Sequence, residues 1–239
     1  MSQLTLVRHG QAAFLEDDYD RLSETGREQA RLLGAYWVRH ATVFDEVYTG
    51  PRARHQQTAE LAGAAYAGAG LSWPEPVTLA ELDEYDLVGF LNNLAGGLAS
   101  ESQEFADLVA GFRRSESERE RARSFQKMFE ALTLHWVAGG DTLTGLETWP
   151  AFRERVGRAL ARVTGGPGRG RRVAAFTSGG FIGAAVQRAL AAPDRAALEI
   201  NWRVRNGSLT EFVFTPGRLT LDGFNAVPHL EDPGLWTYR

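Results

Sequence analysis

The chain opens on a short apolar run, Leu4-Thr5-Leu6-Val7, whose β-branched content and length predict a buried strand. Arg8, His9 and Gly10 follow it directly, and glycine there allows a sharp turn. Phe14 to Asp20 is acidic and predicts a loop. Thr25 with Glu28 has the spacing of a capping box, and Ala30, Leu33, Tyr36 and Trp37 recur at helical spacing behind it. Val43 to Thr49 predicts a second strand, and Pro51 suits the first turn of a helix continuing through Thr58 to Ala65. Val77 to Leu82 predicts a third strand. From about Leu87 to Thr144 the pattern becomes helical, with a Gly96-Gly97 break. Gly111 to Glu130 interleaves Arg and Glu as a solvated helix does. Phe112, Phe125 and Phe129 are expected to pack within this insertion. Thr148 to Val163 has an amphipathic helical pattern, Val173 to Phe176 is a buried strand, and Phe181 to Leu190 a helix. Leu209 to Phe214 and Leu219 to Phe224 alternate as a hairpin turning at Pro216-Gly217. No internal repeat is present.

The chemistry gathers where strands end. In open α/β sheets the carboxyl ends of the strands face the ligand crevice. The first strand delivers Arg8 and His9 there, and the second delivers Arg52 and Arg54 at a helix N-terminus, where backbone donors and the helix dipole favour anions. Arginine presents a planar fork of donors suited to phosphate, and a neutral imidazole is a nucleophile. The third strand is followed by Asp83-Glu84-Tyr85-Asp86, and the strand at Val173 by Thr177-Ser178-Gly179-Gly180.

Composition narrows the choice. A chain of 239 residues with 44% hydrophobic content fits one large α/β domain, or a core domain with an insertion. A net charge of −4 supplies no general field for nucleic-acid binding. Without cysteine there are no disulfides and no thiolate metal sites. No basic segment leads into an apolar one at the N-terminus, so no signal peptide is expected. No apolar run approaches the roughly 20 residues needed to span a bilayer. A cytoplasmic protein without nucleic-acid or membrane partners is expected. Oligomeric state is not legible.

Taken together, these segments resemble the histidine phosphatase superfamily, also called phosphoglycerate mutase-like. Leu6-Val7-Arg8-His9-Gly10 is similar to the family's signature, and Leu22 to Ala30 to its first-helix entry. Tyr48 to Ala59 resembles its second arginine motif, in which Pro51 and Gln57-Thr58-Ala59 set the register so that Arg54, not Arg52, is the phosphate ligand. Leu82-Asp83-Glu84 resembles the segment holding the family's acid, which puts that role on Glu84. Gly145 to Thr148 resembles the turn before its late helix, and Asn206 to Thr210 and Asn225 to Leu230 its C-terminal strands. The resemblance implies a three-layer α/β/α sandwich on a mainly parallel sheet, forming one domain over residues 1–239 with a helical cap inserted at about 87–144 across the active face.

It also implies a metal-independent phosphomonoester hydrolase without cofactors, acting on a small phosphorylated substrate. His9 is the nucleophile that carries a phosphohistidine, Glu84 the general acid and base, and Arg8 and Arg54 the phosphate ligands. One position departs from the pattern. The family places a second histidine, followed by glycine, after the late strand, and here Ser178 stands there. Its hydroxyl and the amides from Gly179 onward are the expected substitute donors, and loss of one preorganised donor typically costs about 10²- to 10³-fold in kcat. His55, directly after Arg54, is expected to point off the pocket, and His229 to be a satisfied packing residue. A phosphate-ligand binding or regulatory protein of the same fold is the alternative. A serine hydrolase built on Ser178, Asp222 and His229 is a remote one, since Phe176 stands where a nucleophile elbow needs glycine. A mutase is less expected than a phosphatase, because nothing in the sequence reports a closed, dry site.

Overall fold

The computed structural model describes residues 1–13, 20–86, 89–91, 95–139 and 146–238. The acidic loop expected from Phe14 lies outside them apart from Asp20, as do both ends of the expected insertion and Gly145.

Apolar strands supply a six-stranded sheet: β1 (Ser2–Arg8), β2 (Glu46–Thr49), β3 (Val77–Thr78), β4 (Arg172–Thr177), β5 (Leu209–Thr215) and β6 (Arg218–Ala226), in the order β3-β2-β4-β1-β5-β6. The first four strands of that order run parallel, and β5 and β6 add antiparallel to β1. Both alternating sets of β1 and β4 side chains are buried, as a sheet covered on both faces requires. Val7, Val47, Ala174 and Phe176 share one face with Leu33, Trp37 and Phe44, and with Ala59, Ala62 and Tyr66. The result is the expected α/β sandwich, with a mixed sheet.

Eight α-helices are present among the described residues: α1 (Glu24–Arg39), α2 (Ala53–Gly68), α3 (Ala95–Glu101), α4 (Gln103–Arg113), α5 (Glu118–Val137), α6 (Trp149–Thr164), α7 (Gly179–Ala189) and α8 (Asp194–Asn201). Several boundaries differ from the sequence expectation. Ser23, not Thr25, caps α1, its hydroxyl accepting from the Gly26 amide at 3.1 Å. The expected third strand pairs over only two residues and then tightens into a 3-10 turn at Ala80–Leu82. The charged helix is divided by a break after Arg113, where Ser117 and Glu120 form the capping box that restarts it as α5. The helix α8, with Ala197 and Leu198 buried, was not expected from the sequence.

The chain divides into two compact units, Met1–Glu84 with Arg155–Arg239, and Tyr85–Glu154. The second is organised around stacked and edge-on rings. Trp136 lies 5.1 Å from Tyr85, 4.9 Å from Phe90 and 5.1 Å from Trp149, centroid to centroid. Phe125 and Phe129 are buried and stacked at 6.1 Å, which makes them packing residues.

In the first unit, the loop after β1 is pressed against the start of α1. A Cβ on Gly10 would lie 2.4 Å from the Gly26 carbonyl oxygen, and one on Gly26 would lie 2.1 Å from that of Gln11. Backbone meets backbone there, so neither side can yield. Gly26→Ala is therefore expected to destabilise the protein by about 1–3 kcal/mol, the usual cost of overpacking. Urea unfolding midpoints of the two proteins measure it.

Candidate active site

Adjacency of β2, β4 and β1 brings three strand ends together. His9 leaves β1 with its amide donating to the Thr177 carbonyl of β4 at 3.0 Å. The next amide, of Gly10, donates to Thr58 Oγ1 at 3.1 Å, and that hydroxyl donates to the Arg54 carbonyl at 2.6 Å. Asn206 Nδ2 donates to the His9 carbonyl at 3.3 Å. The His9 backbone is thereby fixed from β4, α2 and the segment before β5.

The His9 ring is buried, and its Nδ1 lies 2.7 Å from the Gly10 carbonyl oxygen. A carbonyl only accepts, so Nδ1 carries the proton and Nε2 keeps its lone pair. Arg54 Nε donates to that Nε2 at 3.2 Å. The same guanidinium, buried on the first turn of α2, donates from Nη1 to Asp20 Oδ1 at 2.8 Å, and Asp20 Oδ2 accepts the Ala53 amide at 3.0 Å. Arg52 instead pairs with Asp83 at 2.6 Å. Arg54, and not Arg52, is thus the arginine that bonds the His9 ring. Arg8 Nη1 donates to the Val204 carbonyl. Arg8 also lies beside Gly179, where a Cβ would be 3.5 Å from Arg8 Nε.

Ser178 precedes α7 at its cap position, yet its hydroxyl makes no capping bond. It is buried and lies 2.6 Å from His55 Nε2. The Gly180 amide in the first turn of α7 donates to Glu84 Oε2 at 2.9 Å, which ties the candidate acid to the same helix start.

Two histidine expectations are corrected. His55 does not point off the pocket. It is wholly buried, bonded to Ser178, with its ring centroid 5.6 Å from that of His9. Its side chain leaves the first turn of α2 toward the end of β4, a strand remote in sequence, which no local pattern reveals. His229 is buried but not satisfied, since neither ring nitrogen has a hydrogen-bond partner among the described residues. The partner of Ser178 is therefore not His229, and Asp222 is exposed on β6. Asp20 was legible only as part of an acidic stretch; its bonds to Arg54 and to the Ala53 amide join residues more than thirty positions apart.

Burial is the largest cause holding His9 well below the ordinary histidine value of 6.5, followed by the nearby Arg54, Arg8 and His55, while the bond to Gly10 opposes them. Burial, then Arg54 and Arg52, likewise hold His55 well below it, and burial alone lowers His229 to about 4. Among the described residues no group of His, Asp and Glu has an arrangement that would hold a metal ion. Among them no helix is long and apolar enough to cross a membrane.

The structure thus gathers an imidazole and two arginines at the carboxyl edge of the parallel strands. The family model described as histidine phosphatase superfamily (branch 1) matches residues 4–128 and 110–227, and the chain belongs to that superfamily. A putative alpha-ribazole-5'-P phosphatase from Escherichia coli superposes with a TM-score of 0.62 at 21% identity, covering 95% of this chain and 98% of that one. A phosphoglycerate mutase from Bacillus anthracis superposes at 0.65 and 18% identity, covering 96% and 95%. Phosphoserine phosphatase from Entamoeba histolytica, solved with 3-phosphoglyceric acid, gives 0.62 at 18%, covering 96% and 100%. At these identities the likeness is one of fold. No curated protein matches the chain in sequence.

The lowered histidines make stability sensitive to acid. Each binds a proton more readily in the unfolded chain, so stability is complete above about pH 6.5 and declines as pH falls toward the folded value. For His229 that window runs from 6.5 to about 4. His229→Gln is expected to lose about 2 kcal/mol less than wild type between pH 7 and pH 5, read from urea unfolding at both.

Proposed function

We propose that the protein is a phosphomonoester hydrolase working through a phosphohistidine on His9. The observation that carries this is the tautomer of His9: Nδ1–H is held by the Gly10 carbonyl at 2.7 Å, and Nε2 presents its lone pair beside Arg54. Membership of the histidine phosphatase superfamily supports phosphatase chemistry at the level of class, and the substrate is a small phosphorylated molecule.

In the first step Nε2 of His9 attacks phosphorus in line. The N–P bond forms as the ester O–P bond breaks, and Glu84 gives its proton to the leaving oxygen. Water then attacks the phosphohistidine, Glu84 takes a proton from it, the N–P bond breaks, and inorganic phosphate leaves. Arg8 and Arg54 offset charge on the transferred group, the main catalytic contribution in phosphoryl transfer. Arg54 must exchange its bond to Nε2 for bonds to the phosphoryl oxygens as substrate enters. Ser178 and the Gly179 amide complete the cradle in place of the family's second histidine, while the Gly180 amide holds Glu84. The proposal includes one domain over residues 1–239 with a helical insertion at about 87–144.

Hydrolysis of an aryl phosphate without added metal tests this. Wild type is expected to turn over, with a rate that does not fall as pH drops from 7.5 to 6.5, because His9 stays neutral well below its ordinary value. His9→Ala is expected to lose turnover by more than about 10⁴-fold, the usual scale for a nucleophile. Equal rates for the two proteins overturn the proposal.

A further inference from the structure

His55 and Ser178 form a buried pair that the reaction as written does not use in full. We propose that His55 is a positioning residue that fixes the Ser178 hydroxyl as a donor to a phosphoryl oxygen, so that the two side chains together do the work of one histidine ring. The inference rests on the phosphatase proposal and adds a specific division of labour to it.

The geometry is that of a built site. His55 Nε2 lies 2.6 Å from Ser178 Oγ, and both side chains are essentially without solvent exposure. The hydroxyl is not spent on the cap of α7, the ordinary use of serine at that position. Room for the ring comes from the end of β2, where a Cβ on Gly50 would lie 2.2 Å from His55 Nδ1 and 2.9 Å from Cε1. Glycine at position 50 and histidine at position 55 therefore go together. The ring also sits in the catalytic cluster itself, 5.6 Å from that of His9.

The bond has a direction that suits the role. His55 Nδ1 has no partner among the described residues. A proton on Nδ1 would leave a buried N–H without an acceptor, whereas a proton on Nε2 is donated to Ser178 Oγ. Serine then accepts from His55, and its own O–H is turned away from the ring toward the phosphate cradle beside Arg8. Serine alone is too short to replace an imidazole and is free to rotate. Held by His55, the hydroxyl becomes a fixed donor of the kind that gains most from preorganisation.

Exchange of the two positions tests this. Kinetics with an aryl phosphate, phosphate affinity by calorimetry and thermal melting are measured for Ser178→Ala, His55→Gln, His55→Ala, Ser178→His and two double variants. Ser178→Ala is expected to lower kcat/KM by about 10²-fold, and His55→Ala by about 10-fold or more. The Ser178→Ala/His55→Ala protein should be no slower than Ser178→Ala alone, because the two act as a unit. His55→Gln, which keeps an N–H at the position of Nε2, should recover most of the loss. Ser178→His crowds the His55 ring and should be slow, whereas His55→Ala/Ser178→His makes room for the new ring and should exceed both single variants.

Additive losses in the first double variant, or no gain in the second while each melts near wild type, overturn the pairing and leave the His9 mechanism standing. The phosphatase proposal fails separately, if wild type neither hydrolyses the ester nor depends on His9. Phosphate affinity weakened about 10-fold in both Ser178→Ala and His55→Ala but unchanged in His55→Gln still supports the pair in that case. Equal affinity in all variants overturns it. A stable covalent adduct on Ser178 with a serine-directed phosphonate would reverse the direction of the bond, making serine a nucleophile, and would also overturn it.

Discussion

A neutral, buried imidazole must survive next to guanidinium groups, and much of the first unit follows from that constraint. Burial and the cations both oppose protonation of His9, so they act together rather than against each other. What remains is to choose which nitrogen keeps the single proton. One carbonyl makes that choice, the Gly10 oxygen 2.7 Å from Nδ1. The turn that aims this carbonyl requires glycine at position 10 and glycine at position 26, where two backbones touch. Thr58 and Asn206 then hold the turn from α2 and from the segment before β5.

The sheet order does the rest. Because β4 lies between β2 and β1, the end of each parallel strand contributes to one cluster: His9 from β1, Arg54 and His55 from the helix after β2, Ser178 from β4. Glu84 is brought to it by the Gly180 amide and by the chain following the short β3. Arginine charge inside this cluster is balanced by Asp20, which bonds both Arg54 and the first amide of α2. A phosphoryl group is a natural competitor for the same guanidinium.

Much of this was legible in the sequence where it depends on local order. The apolar runs marked the strands, and the resemblance pointed to Arg54 through Pro51 and the Gln57-Thr58-Ala59 step; in the structure Arg54 bonds the His9 ring and Arg52 pairs with Asp83. Contacts between elements distant in sequence were not legible. His55 follows Arg54 by one residue, and a helix normally sends such neighbours in different directions. Here the long guanidinium turns back to His9 while the short imidazole reaches β4, so both serve one cluster. The signal available was a histidine next to the matched arginine and a serine where a histidine is expected. Only the adjacency of β2 and β4 joins them. The unsatisfied His229 and the true cap at Ser23 were missed for a related reason, since burial and cap geometry depend on what packs from elsewhere.

The central claim is that phosphate passes through His9, and the most direct measurement is to trap it. Wild-type protein mixed with a radiolabelled phosphate ester and quenched within the turnover time should carry label that is stable to alkali and lost in acid, as an N–P bond requires. Peptide mapping should place it on His9, and His9→Ala should carry none. Turnover without such label in wild type, or alkali-labile label on Ser178, would contradict the account.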